Sequence, residues 1–417
     1  MALIFGRNFS DTLTGTRGHD TIIGWNEANP VGDEGSARDS DDLFGNAGDD
    51  LLQGGACDDW LYGGIGNDLL RGGSGNNTLV GGAGDDHFSS FQFDLEAVHA
   101  DRIIGGAGFD TLELDRSNSM LSFNFSIANA AVMQVLADGT HILGIEGLSF
   151  AAGGGDDTII GGGFSDSLLG GSGDDQLRGG SGGDLIAGDI VSDRGSDPRP
   201  NEENADALFG GFGADSLYGG AGSDQVFGGD GNELIFGEEW DDRLFGGAGN
   251  DTIFGDFGDP TYGIGKSMSD LGMLGGPHSF SDTIFGGAGD DFISGDWGGN
   301  LLSGGIGADT FYFGVGSSSL DNSATQVDEI SDFTSGEDLI QMFSLNWQNA
   351  SGNFRLSDAD FVIGTEAGDA SDRVMYDPTT GEIRMDFDGT GSMVAELFAT
   401  VAPGTVLVAS DFELLVF

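Results

Sequence analysis

Along most of this chain one large apolar residue recurs at every ninth position, set among glycines and acidic residues, in a unit that can be written GGxGxDxUx with U the apolar side chain. Copies run from the first residues to about residue 313. The cleanest are Gly63-Gly64-Ile65-Gly66-Asn67-Asp68-Leu69-Leu70-Arg71, Gly170–Arg178, Gly179–Ala187, Gly210–Tyr218, Gly219–Phe227, Gly246–Phe254, Gly286–Ser294 and Gly304–Tyr312. About two dozen are counted when degenerate copies are admitted, too many for coincidence. The last three places, x-U-x, suffice for a very short strand in which U points to one face and its neighbours to the other. The first six places form the loop. Glycines at places one, two and four let the backbone take left-handed conformations and let neighbouring turns approach closely.

Two such units make one full turn, so each unit stacks on the one eighteen residues away at the roughly 4.7–4.9 Å spacing of paired strands. The fold class that follows is all-β, a parallel β-roll of short strands. Stacking places Asp50, Asp68 and Asp86 in one column of loops and Asp157 and Asp175 in another. The acidic sixth-place positions, and therefore the candidate metal ligands, are Asp11, Asp20, Asp41, Asp50, Asp59, Asp68, Asp86, Asp110, Asp157, Asp166, Asp175, Asp184, Asp206, Asp215, Asp224, Asp242, Asp251, Asp282, Asp291 and Asp309. A carboxylate and several backbone carbonyls converging between successive loops make an all-oxygen shell of flexible geometry. That shell suits calcium, whereas magnesium demands a tighter octahedron and zinc wants nitrogen or sulphur.

The unit resembles the nonapeptide of the RTX (repeats-in-toxin, haemolysin-type calcium-binding) proteins, whose repeats form a calcium-bound parallel β-roll. From Phe313 onward a mixed β pattern, including Asp328-Glu329-Ile330-Ser331-Asp332-Phe333 and Gly336-Glu337-Asp338-Leu339-Ile340, is similar to the segment that closes the roll in RTX exoproteins and serralysin-type C-terminal domains. The final Asp411-Phe412-Glu413-Leu414-Leu415-Val416-Phe417, acidic then apolar, is similar to an uncleaved type I secretion signal. The resemblance implies a secreted, calcium-loaded protein that meets type I export machinery.

Breaks in the period divide the chain. A first roll is expected over residues 1–113, interrupted at Trp25–Arg38 and by a degenerate stretch at Ser90–His99. Residues 114–152 lose the period and read as a small β insert, with strands at Leu121–Phe125, Val132–Leu136 and Leu148–Phe150 and turns at Asp138-Gly139-Thr140 and Ile145-Glu146-Gly147. A second roll is expected over 153–313, with rim insertions at Ile190–Asn204 and Phe257–Ser281. A C-terminal β cap and secretion region fills 314–417. Units begin at once, which leaves no room upstream for a catalytic domain. The N-terminus, Met1–Phe5 followed by Gly-Arg-Asn, lacks the charged and apolar regions of a cleavable signal, and no apolar stretch has transmembrane length.

Composition sharpens this picture. A net charge of −56 with 79 glycines and a single lysine would by itself suggest an acidic disordered chain. The nine-residue period makes that disorder conditional on metal: without it the aspartate columns repel, and each strand has one inward side chain to bury. Such acidity also excludes nucleic acid and anionic membrane surfaces as direct partners. The one cysteine, Cys57, stands where a loop glycine belongs and has no partner for an internal disulfide. Asn77, Asn300 and Glu233 replace the sixth-place aspartate, and calcium sites in loops containing these three or Cys57 are expected to be weak or empty.

Catalytic chemistry finds little support in the residues. His19, His87, His99, His141 and His278 are scattered and form no HExxH signature. The formal GxSxG at Gly179–Gly183 is two glycine places of a repeat with a serine between them, not a strand-to-helix elbow. Paired carboxylates such as Asp49-Asp50 and Asp290-Asp291 serve metal or solvent. The ninth place, however, is aromatic in six successive units, giving two outward ladders, Phe209/Phe227/Phe245 and Tyr218/Phe236/Phe254. Two accounts stand: sheet reinforcement by stacking, or a docking surface for glycan, another module or another copy, with a glycan or a cell-surface component as the partner to expect. The expected function is calcium binding by a secreted, non-enzymatic protein. The alternatives are an extracellular enzyme acting on polysaccharide or ester, and an adhesin or surface-layer component.

Overall fold

The computed structural model describes residues 1–6, 10–24, 40–91, 100–189, 204–256, 281–296, 298–314, 327–343, 354–387 and 394–415. The three expected insertions, His99, His278 and the last two residues lie outside them, except for Asn204 and Ser281 at the insertion ends. Among the described residues every regular element is a strand, apart from one 3-10 turn at Ala409–Asp411. The chain divides into two compact units, Met1–Ile190 and Val191–Phe417.

In the first unit one parallel sheet stacks Leu3–Phe5, Thr21–Ile23, Leu51–Gly55, Leu69–Gly73, His87–Phe91, Thr111–Asp115, Gly147–Ala151, Ser167–Leu169 and Leu185–Ala187, in that order. Alternating with it along the chain, Thr12–Thr14, Asp42–Ala47, Trp60–Ile65, Thr78–Ala83, Arg102–Ala107 and His141–Leu143 form a second parallel sheet. Asn124–Ser126, Thr158–Ile160 and Gln176–Ser181 form a third. The register is the one the period demands: Leu52 faces Leu70 and Leu61 faces Leu79, eighteen residues apart. These eighth-place side chains are wholly buried, and they are the core.

Residues 114–152 lack the nonapeptide yet enter the same stack, because Gly147–Ala151 pairs with Thr111–Asp115 on one side and Ser167–Leu169 on the other. The strand expected at Leu148–Phe150 lies inside that element. The other two are shorter: Asn124–Ser126, shifted by one residue past the expected end, and Gln134–Val135, inside the expected Val132–Leu136.

In the second unit one sheet stacks Ala207–Phe212, Gln225–Asp230, Arg243–Ala248, Thr283–Ala288, Leu301–Ile306, Asp328–Ile330 and Glu396–Val401. The other stacks Ser216–Ala221, Leu234–Glu239, Thr252–Phe254, Phe292–Ser294, Thr310–Gly314, Leu339–Phe343 and Phe412–Leu415. Parallel stacking therefore continues past residue 313. It gives way to antiparallel pairing where Glu382–Met385 joins Glu396–Val401 and Val374–Asp377 joins Glu382–Met385.

Two expectations need correction. Most repeat strands are longer than x-U-x, because pairing runs on through the glycines of the next unit: Gly211 faces Gly229 and Phe212 faces Asp230. The aromatic ladders also present less surface than outward-pointing rings would. Phe209, Phe227, Phe245 and Phe285 stack at 4.9, 4.8 and 5.2 Å between centroids, within 9° of parallel. Tyr218, Phe236 and Phe254 stack at 5.1 and 5.2 Å. Interior ring faces are covered by their neighbours, and Phe254, against Phe292, is only 8% exposed.

Candidate metal centre

Each sixth-place carboxylate divides its work between two oxygens. In most rungs Oδ1 accepts the backbone N–H of the sixth-place residue one turn earlier; in Asp157 and Asp166 it accepts Phe123 N and Leu148 N. Asp50 N donates to Asp68, Asp68 N to Asp86 and Asp86 N to Asp110, at 2.8, 2.8 and 2.9 Å. The second column runs Asp11 to Asp41 to Asp59 to Asn77, at 2.7, 2.8 and 3.0 Å. Asp157 N donates to Asp175 and Asp166 N to Asp184, both at 2.8 Å. In the second unit Asp206, Asp224 and Asp242 donate in turn to Asp224, Asp242 and Asp282, all at 2.8 Å. The facing column runs Glu233 to Asp251 to Asp291 to Asp309, at 2.9, 2.8 and 3.0 Å. The insertions leave no mark on this geometry: Asp20 to Asp50 spans 30 residues and Asp242 to Asp282 spans 40, yet both bonds form.

Oδ2 is the informative atom. In Asp50, Asp68, Asp86, Asp110, Asp157, Asp242, Asp251, Asp282 and Asp291 it is buried and receives no hydrogen bond among the described residues. Buried polar atoms are almost always satisfied, so a periodic row of exceptions marks a missing partner of positive charge. The surroundings match a cation. A Cβ added to Gly45 would lie 2.5 Å from both Asp50 Oδ2 and the carbonyl oxygen of Gly63, the first glycine of the next turn. Glycine at that place keeps a carboxylate oxygen and a carbonyl open to one shared space. Fourth-place glycines such as Gly48 and Gly66, at φ of 112° and 133°, turn the loop around it.

Electrostatics agree. Burial pushes the carboxyls of Asp68, Asp110, Asp157 and Asp309 up to about 6, Asp86 and Asp291 to about 7, and Asp175 to about 8. Asp242 and Asp282 are raised well above the ordinary carboxylate range by burial, with neighbouring carboxylates adding to it. Burial without a counter-ion disfavours the charged form of each of these groups. The donor set is oxygen only, one carboxylate per loop with backbone carbonyls around it, and among the described residues no three His, Cys, Asp or Glu side chains converge. That is the shell of a hard, large cation, and calcium fits it.

The expected ligands are not equivalent. Asp59, Asp184, Asp206, Asp215 and Asp224 are buried in the same ladders as the rest, whereas Asp11 is half-exposed. In Asp20 the Oδ2 atom already accepts Thr16 Oγ1 at 2.7 Å, and in Asp166 it accepts Gly162 N at 2.6 Å. Burial lifts Glu233 to about 9, with the neighbouring Asp251 carboxyl adding to it. Cys57 holds the fourth place at φ 78°, the left-handed conformation a glycine would take freely.

Several rungs escaped the repeat pattern. Asp101, Asp328 and Asp338 take the ladder bonds of Asn77, Asn300 and Asp309 at 2.8, 2.8 and 3.1 Å, and Glu146 takes that of Asp110 at 2.9 Å. The available signal was an acidic residue just before x-U-x, as in Asp101-Arg102-Ile103-Ile104, even where the preceding loop has lost its glycines. The variable fifth place also carries a ladder, of opposite direction. Asn67 N donates to Asp49 Oδ1, Asp85 N to Asn67 Oδ1 and Phe109 N to Asp85 Oδ1, at 2.9, 3.0 and 2.8 Å.

A family model for the RTX calcium-binding nonapeptide repeat matches residues 5–29, 38–70, 62–90, 99–118, 152–186, 202–232, 227–262 and 279–317, more than half of the chain. The chain belongs to the RTX calcium-binding repeat family. No curated protein matches it. The matched stretches of this RTX protein contain the buried rungs from Asp50 to Asp110, from Asp157 to Asp184 and from Asp206 to Asp309, whereas Asp328 and Asp338 lie beyond them, and its repeats are motifs for several calcium ions. The inward Oδ2 atoms and loop carbonyls are the groups that could hold such ions, and calcium would supply positive charge there. RTX repeats are typical of secreted proteins. No helix among the described residues is long and apolar enough to cross a membrane.

Proposed function

We propose that this RTX protein is a secreted, non-enzymatic calcium binder whose sixth-place carboxylates hold the ions and whose rolls fold as they load. The observation that carries this reading is the row of buried Oδ2 atoms that receive no hydrogen bond in Asp50, Asp68, Asp86 and Asp110 and in Asp242, Asp251, Asp282 and Asp291. One large apolar side chain per nine glycine-rich residues does not offset the entropy of ordering them. Calcium binding and folding are then one event.

Export follows the same logic. Phe412 and Leu414, in the segment similar to a type I signal, are wholly buried, and their strand pairs with Leu339–Phe343. A type I exporter reaches that segment only while the chain is unfolded, which low cytosolic calcium ensures; extracellular modules bind calcium at about 10⁻⁴–10⁻³ M.

The test is circular dichroism of the purified chain in chelator and then in millimolar calcium. A cooperative gain of β signal, poorly reproduced by magnesium, is the expected result. An ordered spectrum unchanged by exhaustive chelation would overturn the reading.

A further inference from the structure

Two successive rungs of the first unit differ from their neighbours. The loops ending at Asn77 and Asp101 are joined in the ladder, Asn77 N donating to Asp101 Oδ1 at 2.8 Å. In both, the protein itself supplies the donor that other rungs lack. Asn77 keeps its Oδ1 in the ladder, accepting Asp59 N at 3.0 Å, and directs Nδ2 to the carbonyls of Gly73 and Gly75 in its own loop, at 3.3 and 3.4 Å. A Cβ on Gly72 would lie 2.6 Å from that Nδ2, the place that Asp50 Oδ2 takes beside Gly45. A neutral carboxamide thus donates to loop carbonyls that a cation would otherwise polarise.

Asp101 is satisfied by a different device. Its Oδ2 accepts the Ser90 hydroxyl at 2.5 Å, and the same Ser90 Oγ accepts Arg116 Nη2 at 3.2 Å. Arg116 is 1% exposed. Its remaining donors also reach oxygens: Nε to Asp138 Oδ2 at 2.7 Å, Nη1 to the carbonyls of Ser90 and Asp115 at 3.1 and 3.0 Å, and Nη2 to Thr140 Oγ1 at 3.4 Å. A guanidinium is charged at any relevant pH and carries five N–H donors in a fixed plane. A permanent cation therefore sits one hydroxyl away from a rung carboxylate.

The packing of this stretch is independently stronger than that of a repeat. The strand Thr111–Asp115 buries both Leu112 and Leu114 where a short repeat strand buries one apolar side chain. Phe123 and Phe125 pack edge-on against Phe150, at 5.4 and 5.1 Å between centroids. Such pairs add to simple burial.

We propose that the rungs at Asn77 and Asp101 take no calcium, because the Asn77 carboxamide and the Ser90–Arg116 pair replace it, and that this part of the first unit orders without metal. The inference rests on the calcium-coupled folding proposed above for the other rungs. Hydrogen exchange of the full chain in chelator, read by mass spectrometry, tests it. Peptides from 100–116 and 134–151 should stay protected while those from 204–256 and 281–314 exchange freely.

Free exchange everywhere, reversed by calcium, would overturn this inference and leave calcium-coupled folding standing. Protection everywhere in chelator would overturn both. Two variants sharpen the result. Asn77→Asp should raise the calcium content by one ion per chain in native mass spectrometry, and an unchanged count would contradict the proposal. Arg116→Gln should lose protection of 100–116 in chelator and regain it in calcium. Protection equal to that of the unaltered chain would also contradict it, and if this variant does not fold, the Asn77→Asp count decides.

Discussion

The repeat rungs of the second unit and the segment that closes it are built from the same residue types, yet they satisfy their carboxylates differently. In the rungs Asp242, Asp251, Asp282 and Asp291 each bury an Oδ2 that receives no hydrogen bond. In the closing segment the protein provides the donors. Asp332 Oδ2 accepts Ser303 Oγ and Gly305 N at 2.6 and 3.0 Å, and Asp338 Oδ2 accepts Thr334 N at 2.7 Å. Asp411 accepts Ser335 Oγ, Gly336 N and Val408 N at 2.7, 3.0 and 2.9 Å. A loop that repeats without change cannot spare a donor for its own carboxylate, because each N–H that reaches one is already committed to the ladder. Irregular loops can. The demand for metal thus arises from the regularity of the repeat, not from acidity alone.

The two regions should respond to pH differently, and this is the largest effect expected: shifted rung carboxyls of the second unit are all raised, whereas the closing segment holds both raised groups (Asp328, Asp338) and lowered ones. In the metal-free rungs burial raises Asp86 and Asp291 to about 7 and Asp175 to about 8. A carboxyl whose folded value is raised stabilises the fold fully below its unfolded value near 4, and that contribution disappears as pH rises through about 7 to 8. Acid should therefore restore part of the β signal in chelator. Calcium must displace those protons, so its midpoint should move upward below pH 8, by up to roughly tenfold per pH unit for a rung still protonated. In the closing segment the Ser371 hydroxyl lowers Asp369 and the Thr379 hydroxyl lowers Asp377. Their contribution is present above pH 4 and lost in stronger acid. Calcium titrations followed by circular dichroism between pH 5 and 8 check this, and a midpoint that does not change with pH would break the comparison.

A smaller effect separates the regions by mutation. Asp411→Ala strips the acceptor from Ser335, Gly336 and Val408 and should cost about 1–3 kcal/mol. The calcium content should stay the same, because Asp411 has its donors within the protein. Chemical denaturation and ion counting together read both quantities, and a lost ion would show that the closing segment also holds metal.

The aromatic ladder gives a smaller loss. Phe227 stacks between Phe209 and Phe245, so Phe227→Thr should cost about 1–3 kcal/mol from two stacked pairs and partial burial, with strand propensity kept. Glycan binding and self-association should not change, because the covered ring faces offer no platform. A selective loss of either, at normal stability, would favour the docking account. The smallest effect is a gain. Cys57→Gly removes a left-handed non-glycine residue and should stabilise the calcium-loaded chain by about 0.5–1 kcal/mol, less than the relief of strain because glycine also frees the unfolded chain. Thermal denaturation in calcium measures it.

Much of the fold was legible in the nonapeptide. A period of nine with one apolar place and glycines at fixed offsets admits few geometries, so the parallel stacking, the eighteen-residue register and the buried row from Leu43 to Leu79 follow from local rules. The carboxylate columns were legible for the same reason. Asp101, Asp328 and Asp338 were harder to see because the loops before them have drifted while their backbone partners stayed in place.

What the sequence by itself determined is everything that repeats: strand, loop, core residue, and the carboxylate aimed between turns. Only the tertiary structure decided which carboxylates are satisfied by the chain. Thr16 reaches Asp20, Gly162 reaches Asp166, and Arg116 reaches Ser90 and Asp138 across 26 and 22 residues. Only the structure, too, carried residues 114–152 into the same stack. The physical reason is that hydrogen-bond satisfaction belongs to a place in space, and a repeat specifies that place for its ladder partners but not for residues arriving from outside the period.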